Sequence, residues 1–201
     1  MALSADLSGK RALVTGASSD GFGAHFARRL AECGAHVVVC ARRQAPLEAL
    51  VCEIEAAGGS AAALQMDVAD AASVTAALEQ AGPLDILVNN AGVEKSGSVL
   101  AMTEADYDYV LDINLKGVWL VTSSVARAMR DGGAGGSIIN IASITGHRGM
   151  KGAAFYAVSK AGVLHLTRQL ALELARFNIR VNSISPGYFA TDLARDFLAS
   201  P

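Results

Sequence analysis

Tyr156 and Lys160 stand four residues apart in the stretch Tyr156-Ala157-Val158-Ser159-Lys160. On a helix that spacing places a phenol and an ammonium on one face, about a turn apart. A phenol titrates near ~10 in water, so giving and taking a proton near neutrality calls for a shift of roughly three units, or ~4 kcal/mol. An ammonium ~4 Å away supplies about that much at an effective dielectric near ~20, but only ~1 kcal/mol in bulk water. The pair therefore becomes acid–base chemistry only inside a partly dry cleft; alone, the spacing is more often that of two side chains on a solvated face. Ser143 lies just past the apolar run Ser137-Ile138-Ile139-Asn140-Ile141, where a parallel sheet would hold its ligands. No Gly-x-Ser-x-Gly elbow surrounds it, which disfavours a hydrolase nucleophile. Asn114 sits between Ile113 and Leu115; a buried amide there either bonds locally to backbone or serves a polar site.

Strands alternate with helical stretches, the pattern of a doubly wound parallel α/β sheet in a single domain. Strands are expected at 11–15, 37–40, 61–66, 84–88, 137–141 and 180–185. Helices are expected at 22–33, 46–57, 71–81, from 103 to about 130, and at 155–177. Between the first strand and the first helix lies Gly16-Ala17-Ser18-Ser19-Asp20-Gly21-Phe22-Gly23. Glycines there let the backbone approach a pyrophosphate, and free N–H groups at the helix start attract its charge. Phe22 stands where a P-loop would carry lysine, so an NTPase is disfavoured. After the second strand, Ala41-Arg42-Arg43 offers arginine and no acid; Arg42 complements the 2′-phosphate of NADP rather than the free ribose hydroxyl of NAD, although Asp20 would oppose such a phosphate. Asn89-Asn90-Ala91-Gly92, ending the fourth strand, suits a backbone that approaches a cofactor closely, and equally a plain turn.

The 201 residues carry a net charge of −2 and no basic run longer than a pair, which argues against nucleic acid or an anionic membrane as partner. No apolar run approaches a membrane span of ~18 residues, and the N-terminal stretch resembles no secretory signal, so a cytoplasmic address is expected. Cys33, Cys40 and Cys52 show no C-x-x-C spacing, and no His pair has ligand spacing, so neither disulfide nor metal site is expected.

Taken together, the glycine turn, Asn89-Asn90-Ala91-Gly92, Ser143, Tyr156-x-x-x-Lys160 and Pro186-Gly187 resemble the short-chain dehydrogenase/reductase family over nearly the whole chain. The resemblance implies an NAD(P)-binding Rossmann fold with a catalytic tetrad on Asn114, Ser143, Tyr156 and Lys160. It also implies cofactor contacts from the turn (Gly16, Ser18, Ser19, Gly21, Phe22, Gly23), from Asp67 and Val68 at the adenine, from Asn90, Ala91 and Gly92, from Tyr156 and Lys160, and from Pro186, Gly187 and Thr191 at the nicotinamide. The implied reaction is hydride transfer between NADP(H), preferred over NAD(H), and a small carbonyl or secondary alcohol. Candidate enzymes are a 3-oxoacyl thioester reductase or a sugar-acid dehydrogenase, assembled as a homodimer or homotetramer; the alternative is a nucleotide-binding subunit without turnover. Val93, Glu94, Ser96, Ile144, His147, Tyr188 and Phe189 are pocket candidates. Two departures stand out. Gly16 and Gly21 enclose four residues where the family has three, and the substrate-covering segment that begins near 188 looks incomplete at Pro201, with the last strand apparently lacking.

Overall fold

A computed structural model describes residues 5–187 and 189. Six parallel strands, β1 (Arg11–Thr15), β2 (His36–Ala41), β3 (Ser60–Gln65), β4 (Ile86–Asn89), β5 (Gly136–Ile141) and β6 (Ile179–Ile184), form one sheet in the order β3-β2-β1-β4-β5-β6. Helices α1 (Phe22–Glu32), α2 (Gln44–Ala56), α3 (Ala71–Ala81), α4 (Glu104–Leu111), α5 (Gly117–Gly132) and α6 (Ala154–Leu174) connect them. The expected single-domain, doubly wound α/β sheet is what forms.

The period-2 alternation of a strand decides which helices cover which face. Ala12 and Val14 of β1, with Val37 and Val39 of β2, pack against α1 and α2 through Ala24, Ala27, Leu47, Leu50 and Ile54. Leu13 and Val38, with Leu87 and Ile138, face the opposite layer, built on Val74 and Ala77 of α3 and Val121, Val125 and Met129 of α5. Strands buried on both faces read as unbroken apolar runs, which is why Val37-Val38-Val39-Cys40 shows no alternation.

Most boundaries fall within two residues of expectation, and β4 begins two residues late. The Asp85 carboxylate is occupied there, accepting from the Arg11 N–H (2.9 Å) and from Lys10 Nζ (3.0 Å). Its carbonyl accepts from the Ser137 N–H at 2.9 Å, so this residue ties together the amino ends of three strands. The continuous helix expected from 103 to about 130 is instead two helices joined by a π-helical turn, Asp112–Lys116. Thr103 does open α4 with a full capping box, its Oγ1 accepting from the Asp106 N–H while the Asp106 carboxylate accepts from the Thr103 N–H.

Candidate active site

Strand order reverses between β1 and β4, and a crevice opens beyond their carboxyl ends. Thr15 Oγ1 accepts from the N–H groups of Asn90 and Ala91, both at 3.0 Å, and Asn90 Nδ2 donates to the carbonyls of Thr15 (2.9 Å) and Gly16 (3.1 Å). Asn90 thus fastens the two strand ends together. The cleft between them has a volume of about 420 Å³ and is lined by Gly16, Ser18, Ser19, Gly21, Phe22, Gly23, Arg42, Asp67, Val68, Asn90, Ala91 and Gly92, all expected there, and also by Ala41, Arg43, Met66, Val93 and Ile113.

The lengthened glycine turn keeps its close contacts. Gly16 has φ +70°, and a Cβ on Gly23 would come within 2.5 Å of the Gly16 carbonyl oxygen, so the turn folds against the start of α1 as tightly as glycine permits. The added residue is expelled. Asp20 has a side chain 88% exposed, directed to Arg28 Nη1 at 3.2 Å, while Arg28 also holds Glu53 through Nε and Nη2. The Gly21 N–H turns back to the Ser19 carbonyl at 2.8 Å and closes the bulge. Arg43 was not singled out from the sequence; its Nη2 donates to the Ser18 carbonyl at 2.7 Å and to Ser18 Oγ at 3.3 Å. An adjacent arginine pair gives no signal of which member folds onto the turn, because that depends on Arg43 preceding α2 in an extended conformation.

At the other end of the crevice α6 presents Tyr156, Ser159 and Lys160 to the interior, and all three are buried. Lys160, 4% exposed, donates from Nζ to the Ile141 carbonyl at 2.8 Å, and Nζ lies 5.6 Å from the centre of the Tyr156 ring. Ser143 caps a 3-10 turn, Ile144–Gly146, that packs on α6; a Cβ on Gly146 would meet the Lys160 backbone carbon at 2.9 Å. The π-helical turn points Asn114 inward, where it is fully buried. Its Oδ1 accepts from the Val93 N–H at 2.8 Å, and its Nδ2 donates to the Val93 carbonyl (2.9 Å) and to Ser159 Oγ (3.1 Å). The Val93 N–H can only donate, so the facing atom must be the amide oxygen. The amide is satisfied, but by a strand-end loop and α6 rather than by its own helix.

Burial dominates the electrostatics. It raises the Tyr156 phenol above its ordinary value, against the opposing influence of the Ser143 hydroxyl beside it and with a smaller upward push from the Glu94 carboxylate. Burial also pushes the Lys160 ammonium down to about 8. The expectation that Lys160 lowers the phenol's pKa is therefore not met in the chain by itself: the ammonium is committed to the Ile141 carbonyl, and desolvation wins. Of the pocket candidates, Ile144 donates its N–H to the Pro186 carbonyl at 3.1 Å, and His147 Nε2 pairs with Ser185 Oγ at 3.0 Å. Phe189 meets Phe22 edge to face, with ring centres 5.0 Å apart. Tyr188, Thr191 and the expected covering segment from 188 lie, apart from Phe189, outside the described residues.

Residues 10–200 match the sequence-family model described as short chain dehydrogenase. The chain belongs to the short-chain dehydrogenase family. It is 44% identical over 196 residues to the oxidoreductase UcpA of Salmonella typhimurium, covering 94% of this chain and 72% of that protein. To a 3-oxoacyl-[acyl-carrier-protein] reductase of Synechocystis it is 41% identical over 200 residues, covering 97% of this chain and 80% of that one. A crystal structure of gluconate 5-dehydrogenase from Burkholderia cenocepacia, in complex with NADP and tartrate, matches with a TM-score of 0.92 at 37% identity, covering 97% of this chain and 77% of that one. This short-chain dehydrogenase is thus an NAD(P)-dependent oxidoreductase of CH–OH and C=O groups acting on small molecules. Among the described residues no helix is long and apolar enough to cross a membrane.

Proposed function

We propose that this chain reversibly transfers hydride between NADP(H) and a carbonyl or secondary alcohol, with Tyr156 as the proton donor and acceptor. The observation that carries the reading is the convergence of Ser143, just past β5, with Tyr156 and Lys160 in the first turns of α6, all buried, where a Cβ on the cleft residue Gly92 would lie 3.4 Å from Lys160 Nζ. The residues of that cleft fit a dinucleotide: a glycine turn at a helix start for the pyrophosphate, Asp67 and Val68 at the adenine end, and Arg42 and Arg43 for a 2′-phosphate. Those two arginines, with no acid following β2, support NADP over NAD.

When bound, the nicotinamide supplies or accepts the hydride. In the reducing direction Ser143 hydrogen-bonds the carbonyl oxygen as negative charge develops there. Tyr156 gives that oxygen its proton and is left as a phenolate, to which a proton would return by way of Lys160. Lys160 would also hold the nicotinamide ribose hydroxyls, and the second lone pair of Asn114 Oδ1 would accept a water that returns a proton to Lys160. Pro186 and Gly187 would line the nicotinamide end. Relatives named for 3-oxoacyl thioester and gluconate chemistry support both substrate classes equally.

Tyr156→Phe tests the assignment. Turnover of acetoacetyl-coenzyme A or 5-ketogluconate should fall by about 10² to 10⁴-fold, the range for loss of a positioned acid. NADPH affinity, read by fluorescence titration, should stay within about twofold; a variant of near-wild-type activity removes Tyr156 from the mechanism. The same titration with NADH measures the cofactor preference, and tighter NADH binding refutes the reading of Arg42 and Arg43.

A further inference from the structure

For Ser143 to stabilise charge on a substrate oxygen, its hydroxyl must donate. A serine hydroxyl has one proton and two lone pairs, and a free rotor spends that proton on whichever acceptor is nearest. Here both lone pairs face donors from a single residue. The Thr145 N–H donates to Ser143 Oγ at 3.2 Å, and Thr145 Oγ1 donates to it at 2.9 Å. Among the described residues Ser143 is the side-chain partner of the Thr145 hydroxyl, and Ser143 and Thr145 are only 8% and 7% exposed, so water competes little for either.

The turn that holds Thr145 is itself fixed. The Ile144 N–H is anchored on the Pro186 carbonyl at 3.1 Å and the Gly146 N–H on the Ser143 carbonyl at 3.0 Å, while Gly146 packs against α6 with no room for a Cβ. With both acceptor directions filled, the remaining direction of the Ser143 hydroxyl is its own proton's, and the Tyr156 phenol lies beside it.

We propose that Thr145 is a positioning residue that fixes the Ser143 hydroxyl as a donor towards the substrate oxygen it would share with Tyr156. The inference rests on the reading of Ser143 as the group that binds that oxygen. An ordinary capping role is separable, because the cap is the backbone bond: valine at 145 keeps the N–H donor and the side-chain shape and removes only the hydroxyl.

Four enzymes decide the matter: Thr145→Val, Thr145→Ser, Ser143→Ala and the double variant Thr145→Val with Ser143→Ala. Each is assayed for NADPH oxidation with whichever of acetoacetyl-coenzyme A or 5-ketogluconate the wild type reduces. Thr145→Val should lower kcat roughly tenfold, the worth of one hydrogen bond to a group acting in the transition state, with NADPH affinity unchanged. Thr145→Ser should restore kcat, and adding Thr145→Val to Ser143→Ala should cost nothing more. The proposal is overturned by a Thr145→Val enzyme within twofold of wild type, by a serine variant as slow as the valine one, or by an undiminished valine effect without Ser143. A second readout needs no turnover. In ultraviolet difference titration, with Tyr156→Phe as the blank, Thr145→Val should raise the titration midpoint of the Tyr156 phenol and Thr145→Ser should return it. If the wild type reduces no carbonyl, the functional reading fails while this midpoint still decides the role of Thr145; an unmoved midpoint then overturns it.

Discussion

Among the described residues Lys160 has no anionic partner, so its burial is a standing cost whose size depends on pH. Desolvation lowers the folded-state pKa from the ordinary 10.5 to about 8. Below pH ~8 both folded and unfolded chains hold the proton, and the whole cost is present, about 3 kcal/mol at 1.36 kcal/mol per unit. Between pH ~8 and ~10.5 the unfolded chain binds more protons than the folded one, so stability rises with pH as the cost is relieved. Lys160→Met removes the charge and also deprives the Ile141 carbonyl of its donor, a loss of ~1 kcal/mol. The variant should therefore be more stable than wild type by ~2 kcal/mol at pH 7, with the gain shrinking towards pH 10.5. Urea unfolding at the two pH values measures it; a gain of the same size at both would mean that burial does not lower the pKa of the amine. A desolvated ammonium of this kind is a mark of a group kept for chemistry.

At the scale of elements, the lengthened glycine turn has a local physical answer. Asp20 is held outside the cleft by Arg28, one turn or more along α1 and beyond, while Gly16 and Gly23 keep the contact that shapes the phosphate cradle. Deleting Asp20 should change stability by no more than ~1 kcal/mol, the worth of an exposed ion pair, and should leave NADPH affinity within about threefold. A deletion that abolishes binding in fluorescence titration would show that the bulge itself shapes the site. Counting residues between glycines reveals the insertion, but not which residue leaves the turn, because that is set by a partner eight positions on. Strands and helices were legible because their apolar periods are strong. The π-helical turn at Asp112–Lys116 was not: widening a helix by one residue changes neither composition nor period enough to see, yet it is what carries Asn114 inward. Ser143, Tyr156 and Lys160 were legible as a set from their order. Thr145 and Arg43 were not, since each takes its place through a contact that only the folded turn creates.

The whole molecule leaves apolar side chains on the side opposite its sheet. Tyr109 of α4, Trp119 of α5, and Val158 and Leu172 of α6 are all exposed, the last two by 59% and 76%, and α4 and α5 both contact α6. On α6 the exposed positions Val158, Ala161, His165, Arg168, Gln169 and Leu172 recur at helical spacing, so they form a stripe, apolar towards both ends, on the back of the helix whose inner face holds Tyr156 and Lys160. A stripe of this kind is stable in water chiefly when another surface covers it, and a second copy of the chain supplies the same stripe by symmetry. Sedimentation at micromolar concentration should therefore find a dimer or tetramer. Val158→Glu, which would bury a carboxylate against its own symmetry mate, should shift it to monomer. Because Val158 lies between Tyr156 and Lys160 on the same helix, loss of the assembly should also lower turnover by loosening α6 against β5, with cofactor affinity less affected. A wild type that sediments as a monomer, or a Val158→Glu protein that stays assembled, would rule out α6 as the interface.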